Sequence, residues 1–268
     1  MVNQTEQHSD HPAENASVHA AKVVLPKNVL ITGASSGIGR QLALDYAEQG
    51  WTVFACGQNA ERLAQLANAH QNIQTVQFDM TDLAETQAAL QALPVVPALI
   101  ILNAGTCEYI EHGEIDTDLF RRVFEVNVFG TLHCIQALQT QFDSMTHLVL
   151  MGSTASYVPL PRAEAYGASK AAIAYLANTL ALDLEPQGVT VSLVSPGFVE
   201  TPLTDKNDFP MPMRVPVAFA SEKIQAGIAA KKREIHFPLT FSLFLKSIAL
   251  LPLPMQLWVV KRMTRKSA

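Results

Sequence analysis

Ser153, Tyr166 and Lys170 fall within one stretch, which reads GSTASYVPLPRAEAYGASKAA from Gly152. A free tyrosine is a poor acid or base near neutrality, because its pKa is about 10. Residues 163–186 are rich in Ala and Leu and predict a helix. The spacing of four then sets Tyr166 and Lys170 one turn apart on one face. An ammonium roughly 5 Å from a phenol, at an effective dielectric near 20, favours phenolate by about 3 kcal/mol, or about two pKa units. That is expected to bring Tyr166 into the range where it exchanges a proton with a substrate oxygen. Ser153 follows the apolar run His147–Met151 and would hydrogen-bond the same oxygen as charge develops. Taken alone, Tyr-x-x-x-Lys is most often just two polar residues on a helix. The surrounding elements decide.

Those elements alternate. Short apolar runs at Asn28–Thr32, residues 51–56, 73–78, 98–102, His147–Met151, 189–194 and 234–237 read as strands. Helical patterns lie between them at 37–50, 60–70, 83–93, 118–142, 163–186 and 224–231. Strand runs without polar alternation imply a parallel sheet covered on both faces. The expectation is an α/β, Rossmann-type, doubly wound parallel sheet of about seven strands with helices on both faces, plus a C-terminal helical extension. Residues 1–26 read as a flexible tail, 27–238 as the catalytic unit and 239–268 as that extension.

The first strand runs into Gly33-Ala-Ser-Ser-Gly37-Ile-Gly39. Gly33 permits the turn, Gly37 lets a pyrophosphate approach the backbone, and Gly39 lets helix and strand pack closely. The helix that follows offers amide donors and the positive end of its dipole to phosphates.

These residues resemble the short-chain dehydrogenase/reductase family over residues 27–237. The likeness rests on Thr32-Gly-Ala-Ser-Ser-Gly-Ile-Gly39, Asn103-Ala-Gly105, Asn127, Ser153, Tyr166-x-x-x-Lys170, and Pro196-Gly197 with Thr201. It implies a nicotinamide-dependent oxidoreductase. Tyr166 would be the general acid/base, with Lys170 lowering its pKa and holding the nicotinamide ribose. Ser153 would hold the substrate carbonyl, and Asn127 would help seat a water that relays protons to Lys170. Ser35, Ser36 and Ile38 belong to the phosphate turn; Asp79 and Met80 lie towards the adenine, and Asn103, Ala104 and Gly105 near its ribose. Val199 and Thr201 would fix the carboxamide, with Pro196 and Gly197 also in the cofactor site. The family also implies a homodimer or homotetramer. The competing reading is a protein that keeps this fold as a nucleotide sensor or scaffold.

An acidic residue at the end of the second strand would hydrogen-bond the adenosine ribose and repel a 2′-phosphate. Here the chain has Gly57-Gln58-Asn59, without a carboxylate, and without the arginine common in phosphate-reading relatives. Ser35, Gln58 and Asn59 offer neutral hydrogen bonds, and Arg62 reaches from the next helix. NADP(H) is therefore expected over NAD(H).

On the substrate side, residues 198–220 hold four prolines, two methionines and three phenylalanines where a covering lid is expected. Phe198, Leu203, Phe209, Met211 and Met213 suggest an adaptable apolar wall, with Arg214 the candidate for a charged substrate group. A hydrophobic aldehyde, ketone or secondary alcohol fits best.

The chain's net charge of −5 excludes a generic nucleic-acid binder but hides an asymmetry. Residues 1–205 carry 8 basic against 21 acidic residues, and residues 206–268 carry 11 against 3. Lys246, Pro252 and Pro254 interrupt the apolar C-terminal run, which argues for two short amphipathic helices rather than a spanning one. They are expected either to cover the pocket or a subunit interface, or to rest peripherally on an anionic membrane. Cys56, Cys107 and Cys134 form no Cys-x-x-Cys pair and read as reduced thiols of a cytoplasmic protein. His8, His11 and His19 lack metal-ligand spacing, so no metal is expected.

Overall fold

The computed structural model describes residues 27–264. The tail residues with His8, His11 and His19, and the terminal Arg265 and Lys266, lie outside the described residues. Among the described residues, seven strands form one parallel sheet in the order β3-β2-β1-β4-β5-β6-β7. They are β1 (Asn28–Thr32), β2 (Thr52–Gly57), β3 (Ile73–Gln77), β4 (Leu99–Leu102), β5 (His147–Met151), β6 (Thr190–Pro196) and β7 (Glu234–Phe237). All residues of β1, β4 and β5 are buried, as apolar runs without alternation require. Burying a side chain such as Leu30 or Ile101 stabilises the fold by about 2 kcal/mol.

Helices cover both faces. On one side α1 (Gly37–Glu48) and α7 (Val217–Ala229) pack over Val29, Ile31, Ile101 and Val149. On the other, α3 (Leu83–Gln91), α5 (Gly130–Leu138) and α6 (Glu164–Asp183) pack over Leu30, Ile100, Leu148 and Leu150. The sheet order reverses between β1 and β4, so the chain leaving these strands opens a crevice at their carboxyl ends.

Beyond shifts of one to three residues at other element ends, three elements differ from the sequence expectation. The helix expected over 118–142 is interrupted. It consists of α4 (Thr117–Phe124), a π-helical turn (Glu125–Phe129), α5 and a 3-10 turn (Gln139–Gln141). α7 starts at Val217, inside the segment expected to be lid, because Ala220, Ile224 and Ile228 recur at four-residue spacing and bury against the sheet. Last, β6 runs on to Pro196 because Ser195 and Pro196 pair with His236 and Phe237 of β7.

The C-terminal run forms α8 (Leu239–Ala249) and α9 (Leu253–Thr264), with the break at Leu250–Pro252. Phe241, Leu245 and Ile248 of α8 and Val260 of α9 pack with Val158 and Phe198. A polar tie reinforces this. The Tyr157 hydroxyl and the Lys246 ammonium both donate to the Glu234 carboxylate. Burial alone would raise the Glu234 pKa, but these hydrogen bonds outweigh it and hold the carboxyl below its usual value.

Candidate active site

The crevice is a cleft of about 430 Å³ running from the β2 end to the start of α6. Its floor is the turn after β1. Gly33 has φ +66°, a left-handed conformation that costs other residues energy, and a Cβ there would lie 2.8 Å from Ala104 Cα. At Gly39 a Cβ would sit 2.4 Å from the Gly33 carbonyl oxygen, so only glycine lets α1 approach β1 this closely. The Asn103 amide ties the turn to β4 by donating to Thr32 O at 3.0 Å, and Ala104 N–H donates to Thr32 Oγ1 at 3.1 Å. This backbone cradle at the N-terminus of α1 suits a dinucleotide pyrophosphate.

At the adenosine end, Ser35, Gln58, Asn59 and Arg62 line the cleft together. Asn59 caps α2 (Ala60–Ala69), its side-chain oxygen accepting from Arg62 N–H at 2.9 Å. Asp79 lies just outside, where its carboxylate accepts from Thr81 N–H at 2.8 Å and Thr81 Oγ1 at 2.7 Å. Burial works against its ionisation, but hydrogen bonds from Thr81 and Gln58 prevail and hold its pKa below the usual value.

At the other end β5 delivers Ser153 and α6 delivers Tyr166 and Lys170, all three lining the cleft. Lys170 is 4% exposed, and its Nζ donates to Met151 O at 2.9 Å. Burial lowers its pKa to about 8. The ammonium lies 5.9 Å from the Tyr166 ring centroid. Its pull on the phenol is nevertheless not what prevails, and the expectation of a lowered pKa is corrected here. Burial pushes Tyr166 above its ordinary value, the neighbouring Cys107 adds to this, and the hydrogen bond with the Ser153 hydroxyl opposes it without prevailing. Desolvation outweighs a cation already engaged with a backbone carbonyl.

Asn127 lies beneath the cleft rather than on its lining. The π turn carries it inward, where its side-chain oxygen accepts from Thr106 N–H at 2.7 Å. Its amide donates to Thr106 O and Ser169 Oγ, each at 2.9 Å. A Cβ at Gly105 would lie 3.1 Å from Asn127 Oδ1 and 3.3 Å from Lys170 Nζ, so both groups reach the same floor.

Gly33, Ser36, Gly37, Ile38, Met80, Asn103, Ala104, Gly105, Pro196, Gly197, Val199 and Thr201 also line the cleft. Of the expected substrate residues, Leu203 does and Phe198, Phe209, Met211 and Met213 do not. Phe198 stacks towards Phe209 and Phe241, Met211 receives a hydrogen bond from Asn207, and Met213 is 55% exposed. Arg214 is paired with Asp205. Sequence reasoning overlooks Cys107 and Tyr109. Both interact electrostatically with Tyr166, and Tyr109 packs edge-on against Phe209 at 5.3 Å. Their place just beyond the carboxyl end of β4, where open α/β sheets bind ligands, is the signal that points to them. Among the described residues, no group of three His, Cys, Asp or Glu side chains is placed to hold a metal.

Residues 27–210 match the family model for short chain dehydrogenase. An uncharacterized oxidoreductase of Myxococcus xanthus is 32% identical over 238 residues, covering 85% of this chain and 94% of its own. The NADPH-dependent 1-acyldihydroxyacetone phosphate reductase of Schizosaccharomyces pombe is 34% identical, covering 67% of this chain and 62% of its own. Among solved structures, a 3-oxoacyl-[acyl-carrier protein] reductase with bound NAD from Brucella melitensis superposes with a TM-score of 0.70 at 25% identity. That match covers 79% of this chain and 89% of the other.

Proposed function

The chain belongs to the short-chain dehydrogenase/reductase family, and we propose that within it the protein is an NADP(H)-preferring reductase of hydrophobic carbonyl compounds. It is an NAD(P)-dependent oxidoreductase acting on CH–OH and C=O groups. The observation that supports the catalytic reading is the convergence of Ser153, Tyr166 and Lys170 on the cleft that also holds the glycine turn. A bound nicotinamide dinucleotide supplies hydride at C4 of its ring. The residues do the rest. Ser153 Oγ orients and polarises the substrate oxygen, and the Tyr166 hydroxyl donates its proton to that oxygen as the carbon is reduced. Lys170, with its pKa brought to about 8, holds the ribose side and stands ready to return a proton towards the phenol. Asn127 fixes the 106 loop above them. A phenol kept protonated by burial is suited to donate its proton in the reducing direction.

The preference for NADP(H) is supported by the Gly57-Gln58-Asn59 strand end without a carboxylate and by Arg62 at the same end of the cleft. The NADPH-dependent relative agrees. An apolar substrate is supported by Pro202 and Leu203 on the cleft lining, and by Arg162 and Arg214 being engaged with carboxylates. Residues 27–238 form the catalytic unit and 239–268 an extension. The oligomer is a homodimer or homotetramer through the helices bearing Asn127 and Tyr166, whose outer sides expose Phe129, Tyr175 and Leu182. The compartment in this reading is the cytoplasm.

Thermal shift with NADPH and NADH, followed by cofactor oxidation against a chain-length series of aldehydes and ketones, tests this. The expected outcome is a larger shift with NADPH and turnover that rises with chain length. A larger shift with NADH overturns the cofactor preference, and absence of turnover across the series overturns the reductase reading in favour of a nucleotide sensor.

A further inference from the structure

Nine of the sixteen large apolar side chains exposed among the described residues lie in the C-terminal segment that holds α8, α9 and the break between them. Leu243 and Phe244 stand on the outer side of α8, Leu250 at the break is 87% exposed, and Leu253, Leu257 and Trp258 project from α9, Trp258 at 66%. α9 spans twelve residues yet buries only Val260. A helix of that length is marginal in water without an apolar face packed on something. Between α9, residues 155–161 and the start of α6 runs a groove of about 660 Å³ lined by Val158, Leu160, Leu257 and Val260 together with Glu164 and Lys261.

Charge selects the occupant. Residues 239–268 carry five cations, Lys246, Lys261, Arg262, Arg265 and Lys266, and no acidic residue, while the rest of the chain is strongly acidic. Lys246 is engaged with Glu234, whereas Lys261 and Arg262 are exposed at the end of α9. A second copy seated on this face would set like charges against each other. An anionic bilayer matches both features at once, because apolar side chains and an indole enter the interface while cations meet lipid phosphates. Among the described residues no helix is long and apolar enough to cross a membrane.

We propose that α8 and α9 form a docking surface for an anionic lipid bilayer, with Leu250, Leu253, Leu257 and Trp258 as the inserted contacts and Lys261 and Arg262 as the phosphate contacts. This docking is independent of the catalytic reading, since none of these residues lines the catalytic cleft.

Co-sedimentation of the full chain with vesicles tests it. Vesicles of phosphatidylcholine mixed with phosphatidylglycerol should bind the protein at low salt and release it at high salt, and pure phosphatidylcholine should bind it weakly. Trp258 emission should shift to the blue on binding, and this shift should vanish in Trp258→Phe. Lys261→Gln with Arg262→Gln, both exposed, should weaken anionic-vesicle binding roughly 25-fold, at about fivefold per cation. Leu257→Ser with Trp258→Ser should abolish binding while leaving turnover of a water-soluble aldehyde unchanged. No binding at low salt overturns the proposal, and so does binding indifferent to salt and lipid charge. So does a change in oligomeric state in Leu257→Ser/Trp258→Ser with vesicle binding intact, which would make this face a contact between copies.

Discussion

Replacing Lys170 by methionine removes a buried ammonium while filling nearly the same space. Lys170 is 4% exposed, and burial lowers its pKa from 10.5 to about 8. The folded protein therefore binds this proton less tightly than the unfolded chain. That destabilisation is complete below pH 8 and is relieved as pH rises towards 10.5. A difference of 2.5 units corresponds to about 3 kcal/mol. Against it stands the hydrogen bond to Met151 O, worth about 1 kcal/mol. Lys170→Met should thus stabilise the cofactor-free protein by about 2 kcal/mol at pH 7, raising Tm by roughly 5 °C. The gain should shrink above pH 8 and reverse by about 1 kcal/mol near pH 10.5. Activity should fall at least about a hundredfold, because the ribose and proton contacts go with the charge. Denaturant unfolding of both proteins at pH 7 and pH 10, with turnover measured alongside, checks all three statements. Destabilisation at pH 7 that does not vary with pH would refute the reasoning.

Gly33→Ala should destabilise by about 2 kcal/mol, since φ is +66° and the added Cβ meets Ala104 Cα at 2.8 Å. It should also raise the Kd for either nicotinamide cofactor at least about tenfold, read by fluorescence titration. Arg62→Ala should raise KM for NADPH about tenfold, with NADH little affected, in initial-rate assays. His147 donates to or accepts from Ser192 Oγ at 2.8 Å, and burial, aided by Lys231, lowers its pKa from 6.5 to about 4. Its folded pKa lies below the unfolded one, so stability is full above pH 6.5 and falls by about 3 kcal/mol as pH drops towards 4. His147→Gln should flatten that fall in pH-dependent denaturation curves.

Much of this was legible in the chain because the physics is local. Unbroken apolar runs such as residues 98–102, too short for a helix, read as strands buried on both faces, and the Gly33–Gly39 turn carries its own constraint. What stayed hidden depends on distant packing. The π turn at Asn127 has no composition signal, arising where Asn127 must reach Thr106 and Ser169. Spacing placed Lys170 near Tyr166 but said nothing of desolvation, which turns out to govern the phenol. Phe198 sits among apolar lid residues in sequence, yet the α8 cluster draws it off the cleft. Two short helices broken at the C-terminal prolines were expected and are present.

The central statement is that Tyr166 moves the proton while the glycine turn and its neighbours hold the cofactor. Single-turnover oxidation of bound NADPH by an aldehyde, in Tyr166→Phe beside the unchanged protein, tests it most directly. The expected result is a cofactor Kd within about threefold and a rate lower by about a hundredfold to ten-thousandfold. A Tyr166→Phe protein that still reduces the aldehyde at the original rate would contradict it.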